Sequence, residues 1–204
     1  MPQLFLHIGY PKTGTTAIQE FLHANRTRLL EQNTLYPETG IDSVAHHQIP
    51  WVFTEDSRSR EGLNRQCIVE GIRRELDNCP SAEKVVVSSE GFIFGIDPER
   101  TLDIFRDDFD RIELIIYLRQ PMRWIQSDYN QGVKGWRRLT CSYEEHLKGI
   151  VSLDTSPMDY YQLLSRWASV FGWGSLIVRS YDLEKARLLS GFLRILGVSE
   201  FVAL

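Results

Sequence analysis

Cysteine, long apolar runs and excess positive charge are all scarce in this sequence. The three cysteines, Cys67, Cys79 and Cys141, are an odd number at wide spacing, which fits neither a disulfide framework nor a zinc site with paired ligands. No run approaches the roughly 18 apolar residues that span a bilayer. The opening MPQLFLHIGYPK also lacks a basic leader with a longer apolar run, so we expect a cytoplasmic location. The net charge of −4 argues against a general nucleic-acid binder, because neutralising many phosphates needs a basic face.

The chain has the length of one domain and alternates between strand and helix signals. Its 204 residues, 43% of them hydrophobic, can bury one sizeable core, so residues 1–204 are expected to form a single domain. Short apolar runs predict strands at residues 4–9, 84–89, 112–118 and 175–178. Helical periodicity predicts helices from Thr15, from Pro121, and at residues 61–76, 143–151, 160–171 and 183–196. Residues 33–59, rich in turn formers, predict a long irregular segment.

This alternation predicts the fold class and the place of the site. Strands separated by helices favour a three-layer α/β domain with a mostly parallel central sheet. In such a fold, ligands bind at the carboxyl ends of the strands. Residues that directly follow the predicted strands are therefore the first candidates for function.

The segment GYPKTGTT, from Gly9 to Thr16, joins the first predicted strand to the first predicted helix. Free backbone N–H groups and the positive end of a helix dipole bind anions at such a junction, so this loop is expected to hold a phosphate-like group. It nearly matches the GxxxxGK[ST] loop of nucleoside triphosphatases, but that pattern needs lysine directly after the second glycine. Thr15 occupies that position, and the lysine is Lys12 instead. A glycine- and threonine-rich turn that only caps a helix is the alternative.

The letters PKTGTT resemble the 5′-phosphosulfate-binding loop of sulfotransferases that use 3′-phosphoadenosine 5′-phosphosulfate (PAPS). The resemblance implies a P-loop nucleotide-hydrolase-like sulfotransferase fold. It also implies that Lys12, Thr13, Gly14, Thr15 and Thr16 bind the 5′ end of PAPS. In that family the loop lysine is implied to stabilise charge on the bridging oxygen as the sulfuryl group departs. A cation aimed at developing charge contributes only in the transition state.

A second element follows the strand predicted at residues 112–118. Arg119 directly follows that strand, and Pro121 suits the first turn of a helix. In a helix that begins at Pro121, Ser127 lies nearly two turns in. Arginine and serine could therefore grip one phosphate. YLRQPMRWIQS resembles the 3′-phosphate-binding element YxxRNPxDxxxS of the same family, with Arg119 and Ser127 at the matching positions and Gln120 in place of asparagine. A solvated arginine and an unremarkable helix serine are the alternatives.

Transfer to a hydroxyl or amine needs a group that accepts the acceptor's proton. Glu90 lies just beyond the strand predicted at residues 84–89, where the family places its catalytic base, and is the first candidate. His47 and His46 lie in the irregular segment and could present an imidazole that titrates near neutral pH. An exposed glutamate and surface histidines are the alternatives.

Near the end of the chain, VRSYDL resembles the YEDL segment of the family, in which the aromatic residue lies near the adenine. Tyr181 could stack there, or it could be a core tyrosine. The late basic RKG-type loop of the family has no match before Leu204. That difference leaves open the completeness of the 3′-phosphate clamp.

Taken together, these motifs predict a metal-independent sulfotransferase with PAPS as co-substrate and 3′-phosphoadenosine 5′-phosphate (PAP) as product. The acceptor is unidentified, and a carbohydrate is one candidate. Two other hypotheses remain at this point. A P-loop kinase would use ATP and Mg²⁺, and a non-catalytic module would bind the nucleotide without transferring a group.

Overall fold

A five-stranded parallel sheet forms the centre of the protein. The structure, a computed structural model, describes residues 1–54, 58–135, 137–152 and 157–199. The strands are β1 (Gln3–His7), β2 (Thr34–Leu35), β3 (Lys84–Ser88), β4 (Arg111–Leu118) and β5 (Leu176–Ser180). Their order in the sheet is β2-β3-β1-β4-β5, and every described pair is parallel. The prediction of an α/β fold with a parallel sheet is confirmed.

Helices connect the strands and cover both faces of the sheet. In the first half of the chain they are α1 (Thr15–Ala24), α2 (Arg26–Leu30), α3 (Gln48–Phe53), α4 (Arg65–Asn78), α5 (Gly91–Gly95) and α6 (Pro98–Phe105). In the second half they are α7 (Pro121–Lys134), α8 (Tyr143–Val151), α9 (Tyr160–Phe171), α10 (Tyr181–Glu184) and α11 (Leu188–Leu196). Two short 3₁₀ turns lie at Trp173–Ser175 and Lys185–Arg187. No described helix is long and apolar enough to cross a membrane.

The three central strands are buried on both faces, which explains their continuous apolar sequences. Alternate residues of a strand point to opposite sides of a sheet. In β1, Leu4 and Leu6 pack into one core with α3 to α9, whereas Phe5 packs into a second core with α1, α2 and α11. Buried parallel strands with both faces covered produce the three layers.

Three parts of the helix and strand assignment differ from the sequence-based prediction. The segment predicted to be irregular contains the edge strand β2 and the short helix α3. The helices α5 and α6 were not predicted, because their runs of five and eight residues are too short to show a clear period. The predicted helix at residues 183–196 is divided into α10, a 3₁₀ turn and α11.

The sheet order brings the predicted functional segments to one edge. Strands β3, β1, β4 and β5 are consecutive neighbours, and all are parallel. Their carboxyl ends therefore meet at the same edge, as expected for an open α/β sheet. Glu90 follows β3, the loop of residues 8–14 follows β1, Arg119 follows β4, and Tyr181 follows β5.

Candidate active site

The loop between β1 and α1 has an unusual backbone. Gly9, Lys12 and Gly14 have φ angles of 53°, 68° and 77°, all in the left-handed region. Lysine rarely adopts this conformation, and strained residues of this kind occur most often at functional sites. Gly14 is the N-cap of α1, and no side chain caps the helix. The free N–H groups of the first turn therefore form a place for an anion.

The close neighbours of Gly9 and Gly14 leave little room for a side chain at either position. A Cβ atom on Gly14 would lie 2.4 Å from Leu188 Cδ2 and 3.1 Å from Tyr181 Cε2. A Cβ atom on Gly9 would lie 3.0 Å from Glu90 Cγ and 3.2 Å from Thr15 Cγ2. The loop therefore packs directly against the residues that follow β3 and β5.

Buried hydrogen bonds fix the middle of the loop. Thr13 is fully buried, and its hydroxyl donates to the carbonyl oxygen of Tyr10 at 2.5 Å. Trp124 Nε1 of α7 donates to the carbonyl oxygen of Pro11 at 2.8 Å. The hydroxyl of Tyr10 donates to the carbonyl oxygen of Pro157. The first contact lies within the loop, and the other two tie it to α7 and to Pro157, which are distant in sequence.

Lys12 is the cation of this loop. Its side chain is half-buried, and its ammonium group has no ion pair or hydrogen bond with the rest of the described chain. A lysine held in a fixed left-handed loop without an internal partner is available to a ligand. The backbone carbonyl oxygen of Lys12, in contrast, accepts a hydrogen bond from Arg119, the second predicted anchor.

Arg119 joins this loop directly. Its Nη1 atom donates to the carbonyl oxygen of Lys12 at 3.2 Å, and its guanidinium carbon lies 5.4 Å from the centre of the Tyr181 ring. Tyr160 donates to the carbonyl oxygen of Arg119 at 2.7 Å, which fixes the backbone at the end of β4. A guanidinium carries five N–H donors. Within the described residues only Nη1 has a hydrogen-bond acceptor.

Ser127 lies on α7, the helix that begins directly after this arginine. It stands three residues after Trp124, whose indole contacts the loop, and residues three apart share one face of a helix. Its side chain is half-buried and makes no hydrogen bond to the part of the chain that the structure describes. The predicted loop, Arg119, Ser127 and Tyr181 therefore lie on elements that meet around one site.

Glu90 lies beside the loop and is held by α1. The hydroxyl of Thr15 donates to Glu90 Oε1, and Gln19 Nε2 donates to Glu90 Oε2 at 3.0 Å. Burial acts to raise the pKa of Glu90, but the hydrogen bonds from Gln19 and Thr15 outweigh it and hold the pKa below its ordinary value. At neutral pH the side chain is therefore an oriented carboxylate.

His47 is the histidine that faces this carboxylate. Its Nε2 atom lies 4.0 Å from Glu90 Oε2, and Nδ1 lies 2.7 Å from the hydroxyl of Ser89. The ring stacks on Trp51 with a centroid distance of 5.4 Å and an interplanar angle of 23°. Burial lowers the pKa of His47 more than the charges of Glu90 and Asp42 raise it. A neutral imidazole therefore faces the carboxylate.

His46, although adjacent in sequence, is turned into the protein. It is fully buried, Nδ1 accepts the backbone N–H of Ser88 at 3.1 Å, and Nε2 then donates to the carbonyl oxygen of Pro37 at 3.0 Å. Burial lowers its pKa to about 3. Both ring nitrogens are occupied, so His46 has no free nitrogen with which to accept a proton from an acceptor. The structure brings Glu90 and His47 together and places His46 elsewhere.

Sequence reasoning missed Gln19, one of the two residues whose side chains donate to the Glu90 carboxylate. Gln19 stands four residues after Thr15, so the two share a face of α1. That spacing could have shown which side chains point toward the strand end. The two acceptors of Gln19, however, are Ser88 of β3 and Glu90 just after it. Both are far from Gln19 in sequence, so only the packed structure shows the contacts. The described residues contain no group of three or more histidine, cysteine or acidic side chains suited to a metal ion.

Comparison with known proteins identifies relatives of the fold. No family model matches the sequence. An uncharacterized protein of Archaeoglobus fulgidus is 29% identical over 119 residues, which cover 56% of this chain and 30% of that protein. The chain thus spans less than a third of the length of this curated relative.

Two solved structures share the architecture. The sulfotransferase of Alicyclobacillus acidocaldarius matches with a TM-score of 0.55 and 21% identity, over all of this chain and 84% of its own. The sulfotransferase domain from the curacin biosynthetic pathway matches with a TM-score of 0.50 and 15% identity, over 98% of this chain and 76% of its own. These matches show that the protein has the fold of sulfotransferases.

Proposed function

We propose that this protein is a sulfotransferase that moves a sulfuryl group from PAPS to a hydroxyl or amine of an acceptor. The contact between Arg119 Nη1 and the Lys12 carbonyl oxygen carries the proposal, because it joins the two sequence anchors into one site. The fold shared with two sulfotransferases supports the same reading. A nucleotide with charged groups at both ends is a ligand that could bind to the Lys12 loop and to Arg119 at the same time.

The residues present fit such a nucleotide. The free N–H groups at the start of α1, with Thr13, Gly14, Thr15 and Thr16, would hold the 5′-phosphosulfate. Arg119 retains donors for the 3′-phosphate, and arginine binds phosphate through paired hydrogen bonds. In the proposal Ser127 adds a hydroxyl to the same phosphate, and Tyr181 lies toward the adenosine side. PAPS would supply the sulfuryl group, which the protein itself lacks.

The reaction requires a base and a cation at opposite ends of the transferred group. The acceptor oxygen or nitrogen forms a bond to sulfur while the bond from sulfur to the bridging oxygen breaks. The electron pair of that bond stays on the bridging oxygen, which leaves as part of PAP, and the ammonium of Lys12 stabilises its charge. The acceptor's proton passes to the base. The protein contributes mainly positioning and charge stabilisation.

Glu90 is the proposed base, with His47 as the second candidate. Glu90 is ionised, lies beside the loop that would hold the donor, and faces Thr15 of that loop. His47 Nε2 is 4.0 Å from the carboxylate and could share the proton. His46 is not retained as a base, because its ring nitrogens bind Ser88 and Pro37. A carbohydrate hydroxyl remains one candidate for the acceptor.

Calorimetric titration tests the nucleotide part of the proposal. We expect PAP to bind more tightly than ADP or ATP, with or without Mg²⁺, because only PAP carries a 3′-phosphate for Arg119. Strong ATP binding that requires Mg²⁺ would instead favour a P-loop kinase. Transfer from radiolabelled PAPS to a panel of glycans, phenols and amines tests the second part. Tight PAP binding without transfer to any of them would favour a non-catalytic module.

A further inference from the structure

A chain of buried polar groups runs from the sheet to Glu90. Gln19 of α1 is only 3% exposed, and its Nε2 atom donates both to Glu90 Oε2 at 3.0 Å and to the hydroxyl of Ser88 at 3.2 Å. An amide nitrogen carries two N–H groups, and each has an acceptor here. Gln19 can therefore adopt only one orientation without losing a buried hydrogen bond.

The next group in the chain fixes Ser88. The Ser88 hydroxyl lies 2.7 Å from His7 Nδ1, and both side chains are fully buried. Burial lowers the pKa of His7 to about 4, although the charge of Glu90 acts in the opposite direction. The backbone N–H of Ser88 donates to His46 Nδ1. Residues from β1, β3 and the segment before α3 thus hold the acceptor on which Gln19 is anchored.

Among the described residues, the side chains that donate a hydrogen bond to Glu90 are both neutral. Thr15 donates to one carboxylate oxygen and Gln19 to the other, so rotation about the last side-chain bond would break both contacts. A lysine or arginine in the same place would hold the carboxylate equally well. Its charge, however, would lower the proton affinity much further than an amide or a hydroxyl does. Neutral donors therefore orient the carboxylate and leave it able to accept a proton.

We propose that Gln19 is a positioning residue for the base, held in register by Ser88 and His7, and that it sets the orientation of the Glu90 carboxylate. The inference rests on the proposed function in which Glu90 accepts the acceptor's proton. Gln19 acts through Glu90 and touches no reacting atom. The same series of hydrogen bonds explains why His7, Ser88 and Gln19 are buried near the carboxyl ends of β1 and β3, where apolar residues would otherwise pack.

The test is Gln19→Met, which removes the N–H groups and keeps the length of the side chain. We expect the Glu90 pKa to rise in a ¹³C NMR titration of the glutamate carboxyl carbons, because the anion loses a hydrogen bond. The Glu90→Gln variant assigns the signal. Turnover should fall about ten- to a hundredfold with the KM for PAPS unchanged, since a small misplacement of a catalytic group carries a cost of this size. Gln66→Met on α4 is the matched control, because the exposed Gln66 side chain donates to Glu70 and to no other residue that the structure describes.

Other groups near the carboxylate titrate as well and must be followed in the same experiment. His47 Nε2 lies 4.0 Å from Glu90 Oε2. The charge of Glu90 also acts to raise the pKa of His7 and of Tyr36. The ¹H–¹³C signals of the two histidines report their own titrations, so a shift in Glu90 can be separated from theirs. Ser88→Ala removes the anchor of Gln19 without touching Glu90, and a smaller shift in the same direction is expected.

The NMR titration does not depend on turnover, so two failures can be told apart. If the wild-type protein binds no PAP, the proposed function fails. If the wild-type protein transfers sulfuryl groups while a folded Gln19→Met variant keeps both the Glu90 titration and the pH profile of turnover, the positioning role is overturned. Should Gln19→Met not fold, an unchanged Glu90 titration in Ser88→Ala overturns it in the same way.

Discussion

Arg119 Nη1 lies 3.2 Å from the carbonyl oxygen of Lys12, although 107 positions separate the two residues in the chain. The contact brings the end of β4 against the loop that carries Lys12. Because the acceptor is a backbone oxygen, the position of the Arg119 guanidinium is tied to the loop itself. Two cations on contacting segments are suited to a ligand that carries more than one anionic group.

Lys12→Met tests the cation of the loop. Methionine keeps the length of the side chain and meets the same left-handed backbone, so the stability should change little. We expect turnover to fall at least about a hundredfold, as when one group that stabilises developing charge is removed. The affinity for PAP should change far less. Lys148→Met on the exposed side of α8 is the control, and unchanged turnover in Lys12→Met would refute the assigned role.

Arg119→Lys separates the two ends of the nucleotide. Lysine keeps the charge but loses the planar pair of donors and the contact to the Lys12 carbonyl oxygen. The dissociation constant of PAP should rise about tenfold to a hundredfold, the value of a hydrogen bond to a charged group. ADP has no 3′-phosphate, so its weaker binding should change little. Equal losses for PAP and ADP in calorimetry would contradict a 3′-phosphate role; Arg106→Lys serves as the control.

Comparing Glu90→Gln with His47→Asn assigns the base. We expect Glu90→Gln to lower turnover by about 10² to 10⁴, the usual contribution of general base catalysis. His47→Asn should have a smaller effect, because Glu90 keeps its contacts with Thr15 and Gln19. PAP binding, measured by calorimetry, should persist in both variants. The opposite ranking of the two variants would make the histidine the base.

Gly14→Ala tests the packing of the loop, with two glycines as matched controls. At Gly62, φ is 76° and the added methyl group meets no atom, so Gly62→Ala should cost only the backbone strain, about 1 kcal/mol. At Gly14 the strain is joined by a clash with Leu188, so the loss in the free energy of unfolding should reach about 3 kcal/mol. Gly149→Ala in α8 has neither problem and should be neutral or stabilising. Urea denaturation of the three variants gives the ranking, and equal losses at Gly14 and Gly62 would exclude the clash.

The buried histidines predict the direction in which stability depends on pH. Burial lowers the pKa of His7 to about 4 and of His46 to about 3, and it lowers the pKa of His47 as well. Below the unfolded value near 6.5 the unfolded chain binds protons that the folded chain does not. Stability should therefore be full above about pH 6.5 and fall as the pH drops toward 4, by up to roughly 1.4 kcal/mol per pH unit for each histidine.

Urea denaturation between pH 5 and pH 8 measures this slope. The His46→Asn variant should be less stable than the wild-type protein across this range, because the shorter side chain cannot keep both hydrogen bonds that His46 makes with Ser88 and Pro37. Its stability should nevertheless depend less on pH than that of the wild-type protein. An equal slope in both proteins would show that His46 is not the source of the dependence.

The central fold could be predicted from the sequence because its signals are local. The apolar runs of β3 and β4, and the helices α8 and α9, agree closely with the predicted ranges. Strand β2 could not be predicted, because two residues carry no periodicity and its pairing with β3 depends on the folded sheet. The break before α11 was missed for a related reason, since the apolar pattern continues through it.

The sequence by itself determined the parallel α/β fold and led to the prediction that the loop around Lys12 binds an anion. Both follow from interactions between near neighbours: apolar periodicity, glycine backbone freedom and the orientation of a helix end. Only the tertiary structure distinguished His47 from His46. One ring lies against Ser89 and Glu90, and the other is enclosed by Pro37 and Ser88. Neighbouring side chains point in different directions, and which direction reaches the site depends on packing between residues that are distant in sequence.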